Sequence, residues 1–359
     1  MRTEFCEALK KAGDLKELSK EELVVLIDAD EEESAALFSL ADQVRKQFMG
    51  DEVHIRGIIE FSNYCANNCL YCGLRRNNRQ LARYRMTMNE ILDNARQAAG
   101  LGCRTIVLQS GEDSYYTADI LAETVYLLKK EMDVAVTLSI GDRPREDYEK
   151  MREAGADRYL LKHETCDAEL FAGLRPGTSL AERVERLKWL GELGFQVGSG
   201  NMVGLPGQTV ETLAGDILLM RETGVEMAGI GPFVPNSQTP LGECPGGKLA
   251  LTLKTLAAAR LALPRVHMPA TTAAGTIDPS GRDKALRCGA NVIMPNMTPA
   301  AYKADYQIYP GKPGLSDTPE ESYAKAVKIV EKAGRRVGRG YGHSDNAYLA
   351  GNFKLPAKN

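Results

Sequence analysis

The chain has 359 residues, of which 26% are charged, and its formal net charge is −3. A balance this close to neutral offers no basic field to nucleic acid, and no apolar run approaches the roughly 20 residues that a membrane-spanning helix needs. The N-terminus is acidic and lacks the apolar core of a signal peptide, so we expect a cytoplasmic protein without nucleic-acid or membrane partners.

The first fifty residues have the pattern of helices. Ser19 and Glu22 form a capping-box sequence ahead of an apolar stretch, and an apolar stripe with helical spacing runs from Leu37 to Phe48. None of these residues suggests chemistry, so we predict an N-terminal helical cap over residues 1–50.

From residue 51 onward, short apolar runs alternate with segments of helical period. Eight such runs can be distinguished, at 54–61, 105–109, 134–140, 158–163, 196–203, 226–233, 267–273 and 290–294. Strands that alternate with helices indicate a parallel sheet, and eight units over about 280 residues fit a closed (β/α)8 barrel of the TIM type. We predict this α/β barrel over residues 51–334, with the helical extension before it and an irregular, Gly- and Arg-rich tail over residues 335–359.

Three cysteines follow the first predicted strand, in the sequence Tyr-Cys-Ala-Asn-Asn-Cys-Leu-Tyr-Cys (64–72). Cys65, Cys69 and Cys72 supply one thiolate fewer than the four that usually hold a 4Fe–4S cluster, so the loop could bind the cube and leave one iron open. Structural zinc is an alternative, but it needs four ligands; the sequence has no second cysteine pair here, and His54 is the one neighbouring candidate. The other five cysteines are scattered singly, which argues against a disulfide framework.

Polar residues follow several of the predicted strands, at the end of the barrel where the active sites of this architecture lie. Gln109, Ser110 and Glu112 follow the second strand, and the Gly between them lets the backbone approach a ligand. Glu164 follows the fourth strand, where a carboxylate could bind ribose hydroxyls or a substrate ammonium. Each segment is also compatible with an ordinary turn or helix cap.

Two arginines and two threonines complete this set. Arg183 lies one turn into the helix that Ser179 caps, where its guanidinium suits a carboxylate; a solvated surface position is the alternative. Arg158 opens the fourth strand and, if it points inward, would bind an anionic substrate. Thr271 and Thr272 follow the seventh strand, and such small hydroxylated residues leave room for a ligand and offer donors.

The cysteine spacing, with an aromatic residue before the last Cys, resembles the signature of the radical S-adenosylmethionine (radical SAM) enzymes. Longer stretches resemble the HydE family of FeFe-hydrogenase maturases within that superfamily, among them CANNCLYCGLRRNN (65–78), TIVLQSGED (105–113), AGADRYLLKHET (154–165), PATTAAGTI (269–277) and RCGANVIMPN (287–296). Two sister enzymes, 3-methylornithine synthase and biotin synthase, have similar cysteine loops and remain alternatives. A ferredoxin-like electron carrier is a third, against which the missing fourth cysteine and the large barrel argue.

The resemblance implies a radical SAM enzyme that cleaves S-adenosylmethionine (SAM) reductively to a 5′-deoxyadenosyl radical. The implied substrate is a small or organometallic molecule, a sulfur-containing, cysteine-derived iron precursor of the dithiolate-bridged diiron site. The implied partners are a low-potential electron donor and other hydrogenase maturases. No residue is required as a general acid or base for the cleavage step.

The resemblance also implies roles for particular residues. The cluster ligands would be Cys65, Cys69 and Cys72. The residues expected to contact SAM are Tyr71 (through its backbone, beside the adenine), Gln109, Ser110, Glu112, Glu164 and Arg183. The residues expected to line the substrate cavity are Arg158, Thr271, Thr272, Tyr306 and Tyr309. Some members of the family carry a second cysteine triplet after the segment that corresponds to 306–312; this chain has no Cys there, so we predict a single 4Fe–4S cluster.

Overall fold

The computed structural model describes residues 1–344 of the chain. The helices within them are α1 (Thr3–Gly13), α2 (Lys20–Ile27), α3 (Glu31–Met49), α4 (Met88–Gly100), α5 (Ala118–Glu131), α6 (Arg145–Glu153), α7 (Ala168–Leu174), α8 (Leu180–Glu192), α9 (Val210–Glu222), α10 (Leu249–Ala262), α11 (Thr272–Ile277), α12 (Gly281–Arg287), α13 (Ala300–Lys303) and α14 (Pro319–Lys332). The strands are β1 (Glu52–Ser62), β2 (Thr105–Ser110), β3 (Ala135–Ser139), β4 (Arg158–Leu160), β5 (Gln196–Ser199), β6 (Met202–Val203), β7 (Met227–Ala228), β8 (Gly231–Pro232), β9 (Val292–Ile293) and β10 (Arg336–Val337).

The strands form a parallel barrel. β1 pairs with β2, and the sheet continues in order through β3, β4, β5 and β7. Bridges from Met227 to His267 and from Pro269 to Val292 carry it on to β9, which pairs with β1 and closes the ring. The predicted (β/α)8 TIM-type barrel is therefore confirmed. The seventh predicted strand, at 267–273, is shorter in the structure and contributes isolated bridges instead of a strand, because α11 already begins at Thr272.

The continuous apolar runs of the sequence are explained by burial on both faces of the strands. Ile106, Val107 and Leu108 of β2 are all buried, although their side chains alternate between the barrel interior and the surrounding helices. The helices begin where the sequence signals them, with complete capping boxes at Thr87 and Ser179. The polar residues are thereby left to the loops at the ends of the barrel.

The three N-terminal helices pack on the outside of the barrel. Ser19 and Asp30 cap α2 and α3 with capping boxes. α2 lies against α9 and α3 lies against α10, and Leu23, Leu26 and Leu37 are fully buried in the same hydrophobic core as the barrel helices. The extension therefore shares its core with the barrel. None of the helices in the described part of the chain combines the length and the apolar character needed to cross a membrane.

The C-terminal segment contributes to the barrel instead of leaving it. β10 pairs in parallel with the first residues of β1, with Arg336 beside Glu52 and Val337 beside Val53. Within the segment predicted to be an irregular tail (335–359), Arg336–Val337 form this short strand because they pair with a strand edge that would otherwise be unpaired, whereas residues 338–344 have no helix or strand. The part of that prediction from residue 345 onward lies outside the described residues.

Candidate active site

A cavity of about 450 Å³ opens at the C-terminal ends of the barrel strands. Its wall includes every predicted site residue except Arg158. The members present are Cys65, Cys69, Tyr71, Cys72, Gln109, Ser110, Glu112, Glu164, Arg183, Thr271, Thr272, Tyr306 and Tyr309. Residues that are far apart in the sequence therefore meet in one chamber, as expected when successive parallel strands end at the same face.

The three cysteine thiols lie in the loop after β1 and influence one another. Burial raises the pKa of the Cys69 thiol to about 11, and burial together with the neighbouring thiols raises the pKa of Cys72 further. Thiols with such raised pKa values keep their protons, so a metal bound here would have to displace them. Among the described residues, no group of three or more His, Cys, Asp or Glu side chains has the close spacing of a single-ion site. Three thiols that face one shared space suit a larger inorganic group.

Arg83 fixes the shape of this cysteine loop, and the sequence analysis did not single it out. Its guanidinium donates hydrogen bonds to the carbonyl oxygens of Leu74 (2.9 Å), Arg75 (2.8 Å) and Asn78 (3.1 Å). The backbone N–H of Gly73 donates to the carbonyl of Ile308 at 2.8 Å, which ties the loop to the opposite side of the chamber. Because Arg83 also donates to the carbonyl of Asn63, just before the cysteines, the cysteine loop is held at both ends by the protein itself.

Three arginines surround Asp142, which follows β3. Asp142 lies 2.9 Å from Arg183, 3.6 Å from Arg186 and 3.8 Å from Arg175 between charged atoms, and Arg175 also lies 3.4 Å from Glu112. The Nε atom of each of these arginines is buried and has no hydrogen-bond partner among the described residues. The group therefore has excess positive charge and unused donors, which suit a ligand carboxylate. Arg175 was missed because a lone Arg in a Gly/Pro turn carries no sequence signal.

Glu112 reaches the chamber because a glycine lies across from it. Gly141 has a φ of +78°, and a Cβ atom built there would lie 2.0 Å from Cγ of Glu112. At the end of β2, a Cβ on Gly111 would lie 2.2 Å from the carbonyl oxygen of Tyr64. Only glycine permits these two approaches, so the end of β2 packs directly against the start of the cysteine loop.

Glu164 adopts a left-handed backbone conformation with a φ of +64°, which is uncommon for a residue with a side chain. Its N–H donates to the carbonyl of Gly200, and its carbonyl accepts from the N–H of Met202, both at 3.0 Å. Its carboxylate lies 3.9 Å from the Lys162 ammonium. This conformation costs of order 1–3 kcal/mol, so the surroundings must stabilise it.

A buried carboxylate behind Glu164 provides that support. Asp216 on α9 accepts hydrogen bonds from the backbone N–H of Cys166 at 2.5 Å and from the Asn201 amide at 2.7 Å. Its Oδ1 also lies 3.5 Å from Nε2 of His163, and both side chains are buried. Asp216 therefore holds the chain just after Glu164, at Cys166, and also holds the neighbouring strand end through Asn201.

The far wall of the chamber contains a buried ion pair that the sequence analysis missed. Lys312 Nζ lies 2.6 Å from Glu60 Oε1, and the side chains are only 8% and 5% exposed. Asn296 donates to the other oxygen of Glu60 at 2.8 Å, and Lys312 donates to the carbonyl of Tyr306 at 2.9 Å. Tyr306 itself is buried, and Gln109 lies within hydrogen-bonding reach of its hydroxyl. This wall is polar, enclosed and internally satisfied.

Arg158 does not lie in the chamber, which corrects the expectation that it lines the substrate cavity. It is fully buried at the opposite end of the barrel, where it donates to the Tyr341 carbonyl at 2.8 Å and to the Gln196 side chain at 2.9 Å. The physical reason is its position as the first residue of β4, since parallel strands begin at the base of the barrel. His54 lies at that end too, with its ring 5.3 Å from that of His267, so it does not face the cysteine loop.

Comparisons with known proteins give a consistent result. The model of the Radical SAM superfamily matches residues 59–220. The chain is 52% identical over 339 residues to the [FeFe] hydrogenase maturase subunit HydE of Thermotoga maritima, which covers 94% of this chain and 96% of the relative. It is 31% identical over 280 residues to 3-methylornithine synthase of Methanosarcina acetivorans, covering 77% and 79%. The crystal structure of methylornithine synthase (PylB) superposes with a TM-score of 0.82 at 27% identity, covering 92% of this chain and 97% of that one.

Proposed function

The chain belongs to the radical SAM superfamily and, within it, to the HydE family of FeFe-hydrogenase maturases, and from this premise we propose how its residues serve that chemistry. The family implies a 4Fe–4S cluster and SAM. We propose one cluster per chain, held by Cys65, Cys69 and Cys72, because residues 313–320 contain no cysteine that could hold a second. The chemistry supplied by such a cluster, once reduced, would be the single electron for the reductive cleavage of SAM to methionine and a 5′-deoxyadenosyl radical.

The methionine part of SAM would be held by the charged groups beside the cysteine loop. Arg183 and Arg175 would bind its carboxylate, which is supported by their unpartnered Nε atoms. Gln109, Ser110 and Glu112 would flank its ammonium, and a carboxylate beside an ammonium supplies the charge-assisted hydrogen bond that this contact needs. These residues and the cysteines line the same chamber.

The nucleoside part would extend toward Glu164 and the backbone of Tyr71. The support is the outward turn of Glu164, whose left-handed conformation brings its carboxylate to the cavity wall. A carboxylate suits the two hydroxyls of a ribose, which are both donors. No proton transfer by the protein is needed in this step, so these residues bind and orient.

The substrate would occupy the inner part of the chamber. We propose a sulfur-containing, cysteine-derived iron precursor of the dithiolate-bridged diiron site. The hydroxyls of Thr271, Thr272 and Tyr309 and the polar wall around Glu60 and Lys312 would orient its charged groups. The rest of the wall is mainly apolar, which excludes water and limits side reactions of a carbon radical.

The observation that carries the proposal is the meeting, in one cavity, of three cysteine thiols with arginines whose Nε atoms have no hydrogen-bond partner among the described residues. Anaerobic reconstitution with iron and sulfide tests it. We expect about four irons per chain, a change in the EPR spectrum of the reduced protein when SAM is added, and 5′-deoxyadenosine after addition of dithionite.

A matched pair of variants sharpens this experiment. Cys69→Ser removes a proposed ligand and should abolish the SAM-dependent EPR change, whereas Cys288→Ser replaces a buried cysteine far from the loop and should leave it intact. Binding of zinc in place of iron, or an EPR spectrum that does not change when SAM is added, would contradict the proposed function.

A second candidate function is 3-methylornithine synthesis, which the 31% identity and the TM-score of 0.82 favour. The two functions are separated by their products. Activation of an apo FeFe-hydrogenase in a mixture with the other maturases and an electron donor supports the maturase. Accumulation of 3-methylornithine from free amino acids supports the synthase.

A further inference from the structure

The segment that carries the cysteine loop is rich in arginine. Residues 61–89 contain five arginines and no Asp, Glu or Lys. Because the whole chain has a formal net charge of −3, the rest of the protein carries an excess of negative charge. The positive charge is therefore concentrated beside the cysteines on an otherwise acidic molecule.

The structure divides these arginines into two groups. Arg83 is used inside the loop, as described above, and Arg85 pairs with Asp113 at 2.7 Å. Arg76 and Arg79 are exposed, and within residues 1–344 neither side chain forms an ion pair. Arg75, which is half-buried, lies between the two groups. We call Arg75, Arg76 and Arg79 the arginine collar.

The arginine collar is fixed to the ligand loop by short backbone contacts. The N–H of Arg75 donates to the carbonyl of Cys72 at 3.1 Å, and the N–H of Arg76 donates to the carbonyl of Asn67 at 2.8 Å. Asn67 itself lies between two of the three cysteines in sequence. Electron transfer weakens steeply with distance, and a protein bound at the collar would lie close to the cysteine loop.

We propose that the arginine collar is the docking surface for a small acidic one-electron carrier protein, and this inference rests on the proposed function of the cysteines. One electron passes from the reduced carrier to the cluster, which is reduced as the carrier is oxidised, and no bond forms or breaks. Exposed guanidinium groups bind carboxylates in two-point contacts, and complementary charge raises association rates by about 10- to 1,000-fold. Nucleic acid, an extended polyanion, is disfavoured because its field would also meet the acidic remainder of the chain.

The test measures electron transfer, separately from turnover. The oxidised, reconstituted protein is mixed in stopped flow with a reduced acidic ferredoxin of the 2Fe–2S type, and oxidation of the ferredoxin is followed by its visible circular dichroism, which distinguishes its cluster from the 4Fe–4S cluster. In Arg76→Glu/Arg79→Glu we expect the second-order rate constant to fall about tenfold or more at low ionic strength. The difference should nearly disappear at high salt, since the Debye length is about 3 Å at 1 M.

The matched control reverses the same charges at the same spacing elsewhere. Arg336 and Arg339 are exposed near the base of the barrel, and Arg336→Glu/Arg339→Glu should reduce as fast as the unchanged protein. Photoreduction with the neutral reagent deazaflavin should be equal in all three proteins. If iron content falls in the charge-reversed protein, the neutral variant Arg76→Gln/Arg79→Gln is measured in the same way, with a smaller loss expected.

Equal ferredoxin rates in the collar variant and the unchanged protein at low salt would overturn the proposal, as would equal losses in collar and control variants. If ferredoxin reduces the cluster quickly but SAM does not change its EPR spectrum, the docking proposal is supported and the proposed function is wrong.

Discussion

Asp216 is the residue whose role is least visible in the sequence and clearest in the structure. It lies in the middle of α9, an apparently ordinary helix, yet its carboxylate fixes the backbone around Glu164. Since Glu164 holds a conformation that is unfavourable by itself, its place in the chamber depends on this support. Asp216 is thus a positioning residue for the proposed SAM contact.

Replacing Asp216 with Asn should weaken SAM binding about tenfold, because the amide cannot accept both of the present hydrogen bonds. Iron content should stay unchanged, since the cysteine loop is not touched. Titration of SAM into the reduced protein, followed by EPR, measures this. Asp283→Asn on α12 is the control and should bind SAM normally. If Asp216→Asn lost only stability and kept its SAM affinity, the positioning role would be wrong.

The Glu60–Lys312 pair makes a second prediction at this scale. Lys312→Met leaves the carboxylate of Glu60 buried without its cation, which should lower the free energy of unfolding by about 3 kcal/mol. The double variant Glu60→Gln/Lys312→Met should recover most of that loss, because no charge is then left unpaired. Urea unfolding followed by circular dichroism provides the comparison. A double variant no more stable than Lys312→Met would show that the pair is not the cause.

At the scale of elements, the sequence predicted residues at the ends of strands better than any others. Gln109 and Glu164 were found because a polar residue after an apolar run marks the functional face of a parallel barrel. Arg158 was misplaced because it lies at the start of its strand, and a run of apolar residues does not by itself say which end faces the ligand. Lys312 was missed for another reason: its partner Glu60 is 252 residues away, and only barrel closure brings them together.

The N-terminal helices are predicted to be an integral layer of the fold. Leu26 of α2 is fully buried in the core shared with the barrel, so Leu26→Ala should lower the free energy of unfolding by about 2–5 kcal/mol. Leu15→Ala, at a residue that is 45% exposed, should have little effect. Chemical denaturation of both variants checks this.

The helical cap over residues 1–50 stays a prediction as a separate unit. The packing of α2 on α9 and of α3 on α10 suggests how to test it. If residues 1–50 were an independent cap, a chain beginning at residue 51 would remain folded and monomeric. We expect instead that this shortened chain aggregates, because α9 and α10 would lose their covering. Size-exclusion chromatography distinguishes the two outcomes.

At the scale of the whole molecule, the base of the barrel concentrates buried ionisable groups. Arg56 and Arg158 donate to the carbonyls of Gly342 and Tyr341, so the C-terminal segment adds hydrogen bonds to charged groups that are buried in the barrel. Burial lowers the pKa of His54 to about 4 and raises that of Glu226 to about 7. We therefore expect the stability of the base of the barrel to depend on pH.

Glu226 makes the free energy of unfolding depend on pH in a definite direction. Its folded-state pKa exceeds the usual 4.5 because burial disfavours the ionised carboxylate, so its contribution to stability is complete below pH 4.5 and is lost as pH rises through 7. The loss amounts to about 3 kcal/mol. Glu226→Gln should escape it and gain stability relative to the unchanged protein between pH 5 and 8. Unfolding in urea at several pH values measures this, with Glu222→Gln, an exposed site, as the control; parallel curves for Glu226→Gln and the unchanged protein would refute it.

β1 pairs with one strand that follows it closely, β2, and with two that lie far along the chain, β9 and β10, and this has a consequence for biosynthesis. On the ribosome β1 emerges early, while β9 follows some 240 residues later and β10 later still. At about 5–20 residues per second, one edge of β1 therefore stays bare for roughly 10–50 s. Throughout that interval the nascent polypeptide carries an open strand next to three uncovered thiols, so its greatest exposure to aggregation and oxidation comes before translation ends.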